Sequence, residues 1–153
     1  MNIIVAAVGR LRSGPEQTLI DSYTKRLPWT VDVREIEARA KNDHAAQAKQ
    51  EADGLLAAIP VGAKIVCLDS RGKALDSEKF ANQLGQWRDD GERTLAVVIG
   101  GADGLGAEVV NKAHLVLSFG SVTWPHMLVR VLVAEQLYRA HCILTGHPYH
   151  RGH

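Results

Sequence analysis

The sequence has few cysteines, no long apolar run and almost no net charge. Its two cysteines, Cys67 and Cys142, lack the spacing of metal ligands and lie within apolar stretches. We therefore expect both thiols to be buried and reduced, as in a cytoplasmic protein. No apolar run approaches the roughly 18 residues that cross a bilayer, so no membrane partner is expected. The stretch NIIVAAVG is too short for a secretory signal and has no basic residues before it.

The charge is balanced overall but uneven along the chain. Lysine and arginine total 18 and aspartate and glutamate total 17, so the net charge is +1, which neither requires nor excludes a nucleic-acid partner. The segment from Lys112 to His153 holds four basic residues, one acid and six of the seven histidines. This local excess fits either a chance enrichment in a solvated tail or a surface with a specific role.

Several catalytic signatures are missing. The sequence has neither H-E-x-x-H nor C-x-x-C, and His147 and His150 have no further ligands at suitable spacing, so no metal site is expected. There is no G-x-S-x-G nucleophile elbow and no phosphate loop of the form G-x-x-x-x-G-K-[ST]. AVGRLRSG, rather than G-x-G-x-x-G, follows the first predicted strand, which argues against a dinucleotide-dependent oxidoreductase.

Predicted strands alternate with predicted helices along the whole chain. Short β-branched runs predict strands, and apolar residues at helical spacing predict helices. The predicted strands are NIIVAAV, TVDVREIE, AKIVCLD, TLAVVIGG and HLVLSFG, and the predicted helices are residues 15–27, 44–58, 76–87, a short one near Glu108, and 125–143. This order predicts an α/β fold in which a mostly parallel sheet carries helices on both faces. No linker is visible, so a single domain is expected over residues 1–153.

Three loops follow predicted strands at the edge where parallel sheets bind ligands. IGGADGLG places four glycines after the fourth strand, either for close approach to a ligand or for a plain turn. In LDSRGK, Asp69 can accept a ligand hydroxyl or cap the turn. GSVTWPH follows the fifth strand, and its Pro125 suits the first turn of the last helix.

The last predicted helix is apolar around almost its whole circumference. One side is therefore expected to be buried against a second copy of the chain, which predicts a homodimer. Arg130 lies one turn after His126 on the same face, near the GSVTWPH loop. An i, i+4 pair with Glu135 is the simplest explanation of Arg139.

The tail GHPYHRGH combines an aromatic residue with basic ones. Tyr149 lies between His147 and His150 and is followed by Arg151. Such a tail is either frayed, as termini often are, or able to stack on bases and contact phosphates.

Four segments, taken in order, resemble one enzyme class. LDSRGK, VIGGADGL, SFGSVTWPHMLVRVLVAEQLYRA and GHPYH resemble the SPOUT-class RNA methyltransferases. More narrowly, they resemble the RlmH family of small bacterial enzymes, which methylate N3 of pseudouridine 1915 in 23S ribosomal RNA. The resemblance extends from VAAVGRLR to PYHRG, and the combination is highly specific although each segment alone is not.

The resemblance implies a fold and a methyl donor that composition does not reveal. It implies a SPOUT (α/β-knot) domain whose region at about residues 95–153 forms a deep trefoil knot, and a homodimer that binds S-adenosyl-L-methionine in that knot. The implied donor-binding residues are Leu68, Gly101, Gly120, Ser121, Val122, Thr123, Trp124 and Pro125. Trp124 replaces a smaller aliphatic residue, and Met127 replaces the usual glutamine or proline, so a different pocket shape is expected.

The implied reaction requires the N3–H of pseudouridine to lose its proton, because the sulfonium methyl is already activated. Holding N3 in line about 3 Å from the methyl group would accelerate transfer, and a base or a cation that favours the imide anion would add to this. The candidate residues are His126, Arg130, Arg139, Tyr149 and His150, with no general base assigned. In the family, tail residues of one subunit help build the other's site, which singles out Arg139, Tyr149 and His150 for substrate handling.

The expected partners are a second copy of the chain and large-subunit ribosomal RNA. A near-neutral chain with one small basic end favours RNA within an assembled ribosome over free RNA. The main alternative is a knotted ribosome-assembly factor that binds S-adenosylmethionine without transferring its methyl group. The intact GGADG and PYH segments argue against that alternative.

Overall fold

Five parallel strands form the sheet at the centre of the protein. The computed structural model describes residues 1–151, so Gly152 and His153, the end of the predicted domain and knot region, lie outside the described residues. The strand order is β2-β1-β4-β3-β5, with every pair parallel. The strands are β1 (Asn2–Val8), β2 (Thr30–Ile36), β3 (Lys64–Lys73), β4 (Thr94–Ile99) and β5 (Leu115–Leu117). All five predicted strands are confirmed.

Helices cover both faces of the sheet, as predicted. They are α1 (Pro15–Thr24), α2 (His44–Ala58), α3 (Ser77–Asp89), α4 (Ala107–Val110) and α5 (His126–Thr145). On one face α5 packs between α1 and α3, over Ile3, Val5 and Ala7 of β1. On the other face α2 and α4 pack over Ala6 and Val8. Alternate residues of β1 thus face opposite layers, which explains why every residue of the strand after Asn2 is apolar.

The C-terminal ends of three helices differ from the predicted bounds: α3 continues two residues further, to Asp89, and the other two differ for local reasons. α1 ends at Thr24, three residues before the predicted end, and Leu27 packs into the core from outside the helix. α5 continues to Thr145, where Gly146 adopts φ 73° and its N–H bonds to the carbonyls of Cys142 and Ile143. A left-handed glycine after the last turn is a common helix stop.

The carboxyl end of β3 leaves the sheet and then returns to it. Leu68 and Lys73 both pair with Leu117 of β5, so the residues between them form an excursion above the sheet. Gly72 lies against β5 so closely that a Cβ atom would be 2.6 Å from the carbonyl oxygen of Val116. Glycine is therefore required at this position, and the excursion is fixed to β5.

Both cysteines are buried and free of disulfide bonds, as predicted. Within residues 1–151, no helix has the length and apolar character needed to cross a bilayer. The threading of the last helix through an earlier loop stays a prediction.

Candidate functional site

A cavity of about 560 Å³ opens at the carboxyl ends of β3, β4 and β5. This is the edge of a parallel sheet at which ligands bind, and the volume is within the range of small-molecule sites. Its walls are the three loops singled out in the sequence. The lining residues are Leu68, Asp69, Ser70, Arg71, Ile99, Gly100, Gly101, Ala102, Asp103, Gly104, Leu105, Leu117, Phe119, Gly120, Ser121, Val122, Thr123, Trp124, His126 and Val129.

The loop after β4 is a tight glycine turn. The N–H of Gly104 donates to the carbonyl of Gly101 at 3.0 Å, and Gly104 adopts φ 76°. We expected Gly101 to be glycine so that a ligand could approach closely. The structure adds another reason, because a Cβ atom on Gly101 would lie 3.0 Å from Cγ1 of Val8 in β1. A side chain here would therefore disturb the packing of β1 as well as any ligand.

The excursion after Leu68 is held by Asp69. Its carboxylate accepts the backbone N–H of Arg71 at 2.8 Å and two guanidinium bonds from the same residue at 3.0 and 2.8 Å. These hydrogen bonds from Arg71 hold the pKa of Asp69 below its ordinary value, although partial burial opposes them. Of the two roles that the sequence allowed for Asp69, the turn-forming role is the one the structure shows.

The loop after β5 is shaped by Ser118 and Trp124. The buried Ser118 hydroxyl accepts the N–H of Gly120 and donates to its carbonyl, both at 3.1 Å. Gly120 adopts φ 102°, a conformation that side chains disfavour. The indole N–H of Trp124 donates to the carbonyl of Phe119 at 3.2 Å, a bond that a smaller aliphatic residue cannot make. The loop is thus held at both ends while Ser121–Thr123 remain exposed.

Most of the predicted donor-binding residues line the cavity together. Pro125 is the exception, since it is exposed and caps the start of α5 without lining the cavity. Sequence reasoning missed Phe119 and Val129, which also line it. Their apolar character gave no signal that distinguished them from core residues.

The structure separates the two candidate catalytic residues of the first turns of α5. His126 lines the cavity, whereas Arg130 does not and is only 4% exposed. Arg130 Nη1 donates to Glu35 Oε2 at 2.6 Å, and Nη2 donates to the carbonyl of Gly9 at 2.9 Å. Arg130 therefore ties α5 to the carboxyl ends of β1 and β2. Its Nε has no hydrogen-bond partner among the described residues.

Glu35, whose side chain is 33% exposed, is the hydrogen-bond acceptor that joins this cluster. It also accepts the backbone N–H of Leu11 at 2.7 Å. Partial burial by itself would raise the pKa of Glu35, but the bonds from Leu11 and Arg130 and the charges of Arg130 and Arg10 hold it below the ordinary value.

The other three candidate catalytic residues form a second cluster, away from the cavity of their own chain. Arg139 Nη2 pairs with Glu135 Oε1 at 2.7 Å, as the i, i+4 spacing predicted, and Arg139 Nη1 donates to His150 Nδ1 at 2.9 Å. The Tyr149 hydroxyl donates to Glu135 at 3.0 Å. Burial and this bond raise the pKa of Tyr149 above its ordinary value, so the phenol is protonated at neutral pH.

Contacts on three sides keep the tail in place through His150. His150 Nε2 lies 3.5 Å from Glu78 of α3. The Tyr149 ring packs edge-on against Tyr138 at 4.8 Å, with the Arg139 guanidinium 4.8 Å from its centre. This part of the tail is therefore folded onto α5 rather than frayed.

Residues 1–150 match the family model described as "Predicted SPOUT methyltransferase". The chain belongs to the SPOUT methyltransferase family. It is 54% identical over 151 residues, 99% of both chains, to "Ribosomal RNA large subunit methyltransferase H" of Rhodospirillum centenum. A protein of the same name from Paramagnetospirillum magneticum is 50% identical over 99% of both chains.

The fold is also similar to that of a solved structure of low sequence identity. A "probable methylase family protein" from Haemophilus influenzae Rd KW20 superposes with a TM-score of 0.59, covering 98% of this chain and 70% of that one. Its 13% identity shows similarity of fold alone. The loops that form the cavity in this SPOUT methyltransferase thus belong to a fold shared with a much more distant protein.

Proposed function

We propose that the protein is an S-adenosylmethionine-dependent methyltransferase that acts on large-subunit ribosomal RNA, with N3 of a pseudouridine as the acceptor. The observation that carries the proposal is the cavity itself, because three loops build it in a chain that matches the named relatives from end to end. The named relatives support the RNA substrate, and the resemblance of the sequence to the RlmH family supports the choice of base and atom.

The residues around the cavity suit this methyl donor. Leu68, Leu117 and Val129 provide apolar surface for an adenine ring, and the exposed backbone of Ser121–Thr123 provides hydrogen-bonding groups. The carboxylate of Asp103, on the tip of the glycine turn, offers a negative charge to a cationic ligand. The donor supplies an electrophilic methyl group, so the chain has to position the acceptor nitrogen and favour loss of its proton, through a base or through a cation that stabilises the imide anion.

We propose that the acceptor end of the site is shared between two subunits. Arg139, Tyr149 and His150 lie outside the cavity of their own chain, so in an active homodimer they would act on the cavity of the partner. Leu128, on α5, is a large apolar side chain that remains 38% exposed, which supports α5 as the contact between subunits. His126 is the candidate base that lines the cavity of the same chain.

Methyl transfer to ribosomes tests the proposed function. Ribosomes from cells that lack this protein would be incubated with the purified protein and isotopically labelled donor, and the RNA would be analysed by mass spectrometry. We expect one labelled methyl group on a pseudouridine of the large-subunit RNA. Calorimetric binding of the donor without any transfer would instead indicate the non-catalytic assembly factor, and no donor binding would refute both.

Mixed dimers test whether the site is shared. One subunit would be truncated after Gly146, which removes Tyr149 and His150, and the other would carry a substitution at an exposed residue that lines the cavity, Ser121→Trp. If the tail acts across the interface, one of the two sites is intact and about half of the activity remains. If the tail acts within its own chain, neither site is intact and the mixed dimers are inactive. A monomer in sedimentation at micromolar concentration would refute the dimer itself.

A further inference from the structure

The loop between β1 and α1, residues 9–14, presents a basic surface that has no role in the reaction proposed above. Residues 9–14 read GRLRSG, with two arginines and no acid. Arg10 and Arg12 are both exposed, and neither guanidinium makes a hydrogen bond or ion pair with any residue of the range 1–151. Two such cations on one short loop form a strong positive surface for a chain whose net charge is only +1.

This loop begins beside the cavity. A Cβ atom on Gly9 would lie 3.7 Å from Nε2 of His126, which lines the cavity, and 3.3 Å from Cε of Met127. Consecutive Cα atoms are about 3.8 Å apart, so the Cα atoms of Arg10 and Arg12 lie within about 4 Å and about 11 Å of that of Gly9. A nucleotide entering the cavity therefore has both arginines near its neighbours in the RNA strand.

The loop is also held rigidly. The N–H of Gly9 donates to the carbonyl of Ile36 at 2.8 Å, and the carbonyl of Gly9 accepts from Arg130. The N–H of Leu11 donates to Glu35, whose carboxylate is already paired with Arg130. Because the backbone on both sides of Arg10 is fixed in this way, less backbone entropy is lost when a ligand binds beside Arg10.

The ion pair between Glu35 and the buried Arg130 leaves the two exposed arginines, Arg10 and Arg12, without an acidic hydrogen-bond partner. Glu35 is the acid whose pKa responds to the charge of Arg10, but its hydrogen bonds go to Arg130 and Leu11. The neighbouring segment 37–43 reads EARAKND and has as many acids as bases, so its own charges cancel. The excess of positive charge on this side of the cavity is therefore concentrated at residues 10 and 12.

We propose that the loop of residues 9–14 binds the phosphate backbone of the RNA, with Arg10 and Arg12 contacting phosphates next to the acceptor base. Arginine suits this role because its planar guanidinium bonds phosphate oxygens in a bidentate manner. Such contacts position an RNA strand without reading its sequence. The inference rests on the proposed function for the identity of the RNA, while the contact surface is a property of the loop.

The test is the salt dependence of RNA binding. Ribosomes from cells that lack this protein would be titrated with fluorescein-labelled wild type and with labelled Arg10→Gln/Arg12→Gln between about 50 and about 200 mM salt. The slope of log K against log salt is negative, and each lost phosphate contact makes it less steep by about 0.7 to 0.9. For two lost contacts we expect the slope to become less steep by about 1.4 to 1.8. The variant Arg10→Lys/Arg12→Lys keeps both charges and should keep most of that slope.

The matched control removes two charges at the opposite edge of the sheet. Lys25 and Arg93 are exposed and precede β2 and β4, so Lys25→Gln/Arg93→Gln changes the net charge equally. We expect its slope to equal that of the wild type. Equal losses in the two glutamine variants, or an unchanged slope in Arg10→Gln/Arg12→Gln, would overturn the proposal, as would RNA binding by the wild type that does not depend on salt.

A second measurement separates this proposal from the proposed function. With ribosomes as substrate, the loop variant should show a raised KM while calorimetry shows unchanged affinity for S-adenosylmethionine. If the wild type transfers no methyl group but its RNA binding still depends on Arg10 and Arg12, the proposed function fails and the contact surface stands. If the wild type transfers the methyl group normally and the loop variant has the same KM and the same salt slope as the control variant, the proposal for the loop is refuted while the proposed function stands.

Discussion

Replacing Arg130 with methionine should destabilise the fold strongly, although the sequence presented this arginine as a candidate for catalysis. The change removes the bonds to Glu35 and to the carbonyl of Gly9 while keeping a long apolar side chain. Removing one partner of a buried ion pair costs about 3 to 5 kcal/mol. Because the Glu35 side chain is 33% exposed and water can reach its carboxylate, the lower end of that range, about 3 kcal/mol, is expected.

Urea denaturation measures this effect. A loss of about 3 kcal/mol is a large part of the roughly 5 to 15 kcal/mol that stabilises a typical domain. The matched control is Arg34→Met, since Arg34 is an exposed arginine of β2 paired with Asp32, and its loss should cost at most about 1 kcal/mol. A cycle that combines Arg130→Met with Glu35→Gln should reveal a coupling of about 1 to 3 kcal/mol.

The effect should also depend on pH in a defined direction. The pKa of Glu35 is lower in the folded protein than its ordinary value. Its ionised form therefore adds stability that is fully present above the ordinary pKa, about 4.3, and that is lost as the pH falls through the lower, folded value. The difference between wild type and Arg130→Met should shrink over that acidic range. A destabilisation below about 1 kcal/mol together with abolished methyl transfer would refute the structural role and favour a chemical one.

Three further changes have defined outcomes. Ser118→Ala removes both hydrogen bonds between a buried hydroxyl and Gly120, which lines the cavity. Calorimetry should show the affinity for the methyl donor reduced by about 5- to 30-fold, which corresponds to a loss of about 1 to 2 kcal/mol. Unchanged affinity would contradict this. Gly101→Ala should lower the free energy of unfolding by about 1 to 3 kcal/mol, because the added Cβ contacts Val8. The added Cβ of Gly106→Ala contacts no other atom within 4 Å, so this variant should lose less stability. The reverse order would be evidence against the packing argument. Cys67 is fully buried, and burial raises its pKa to about 11. Thiol reagents at pH 8 should therefore modify it only after the protein unfolds. Rapid labelling of Cys67 in the native protein would disprove this.

The order of strands and helices was predictable because it depends on local patterns. After Asn2 the run NIIVAAV is wholly apolar, as expected for a strand that is covered on both faces, and β1 is such a strand. Asp43, which immediately precedes α2, is a typical helix N-cap residue, and its side chain accepts the N–H of Ala46. Capping and periodicity involve residues within one turn of each other, so a single sequence displays them.

The role of Arg130 was not predictable in this way. Helical spacing placed it on the same face as His126, but its ion-pair partner is Glu35, 95 residues earlier in the chain. Glu35 belongs to an edge strand whose alternating pattern gives no sign that one of its acids pairs with a buried arginine. Similarly, the composition of the tail singled out Tyr149 and His150, whereas their contacts with Glu135 and Glu78 depend on packing between α5 and α3.

The bonds of Arg130 also determine when the protein becomes competent during its own synthesis. They join residues 95 and 121 positions apart, and closing a loop of that length costs on the order of 4 kcal/mol in chain entropy. That cost is offset only by the contacts that α5 makes when it docks between α1 and α3. Because α5 also provides His126 and Val129 to the cavity, a growing chain that already has all five strands still has no complete site. A nascent copy emerging from a ribosome therefore cannot engage the donor until its last helix has been made and has folded into place.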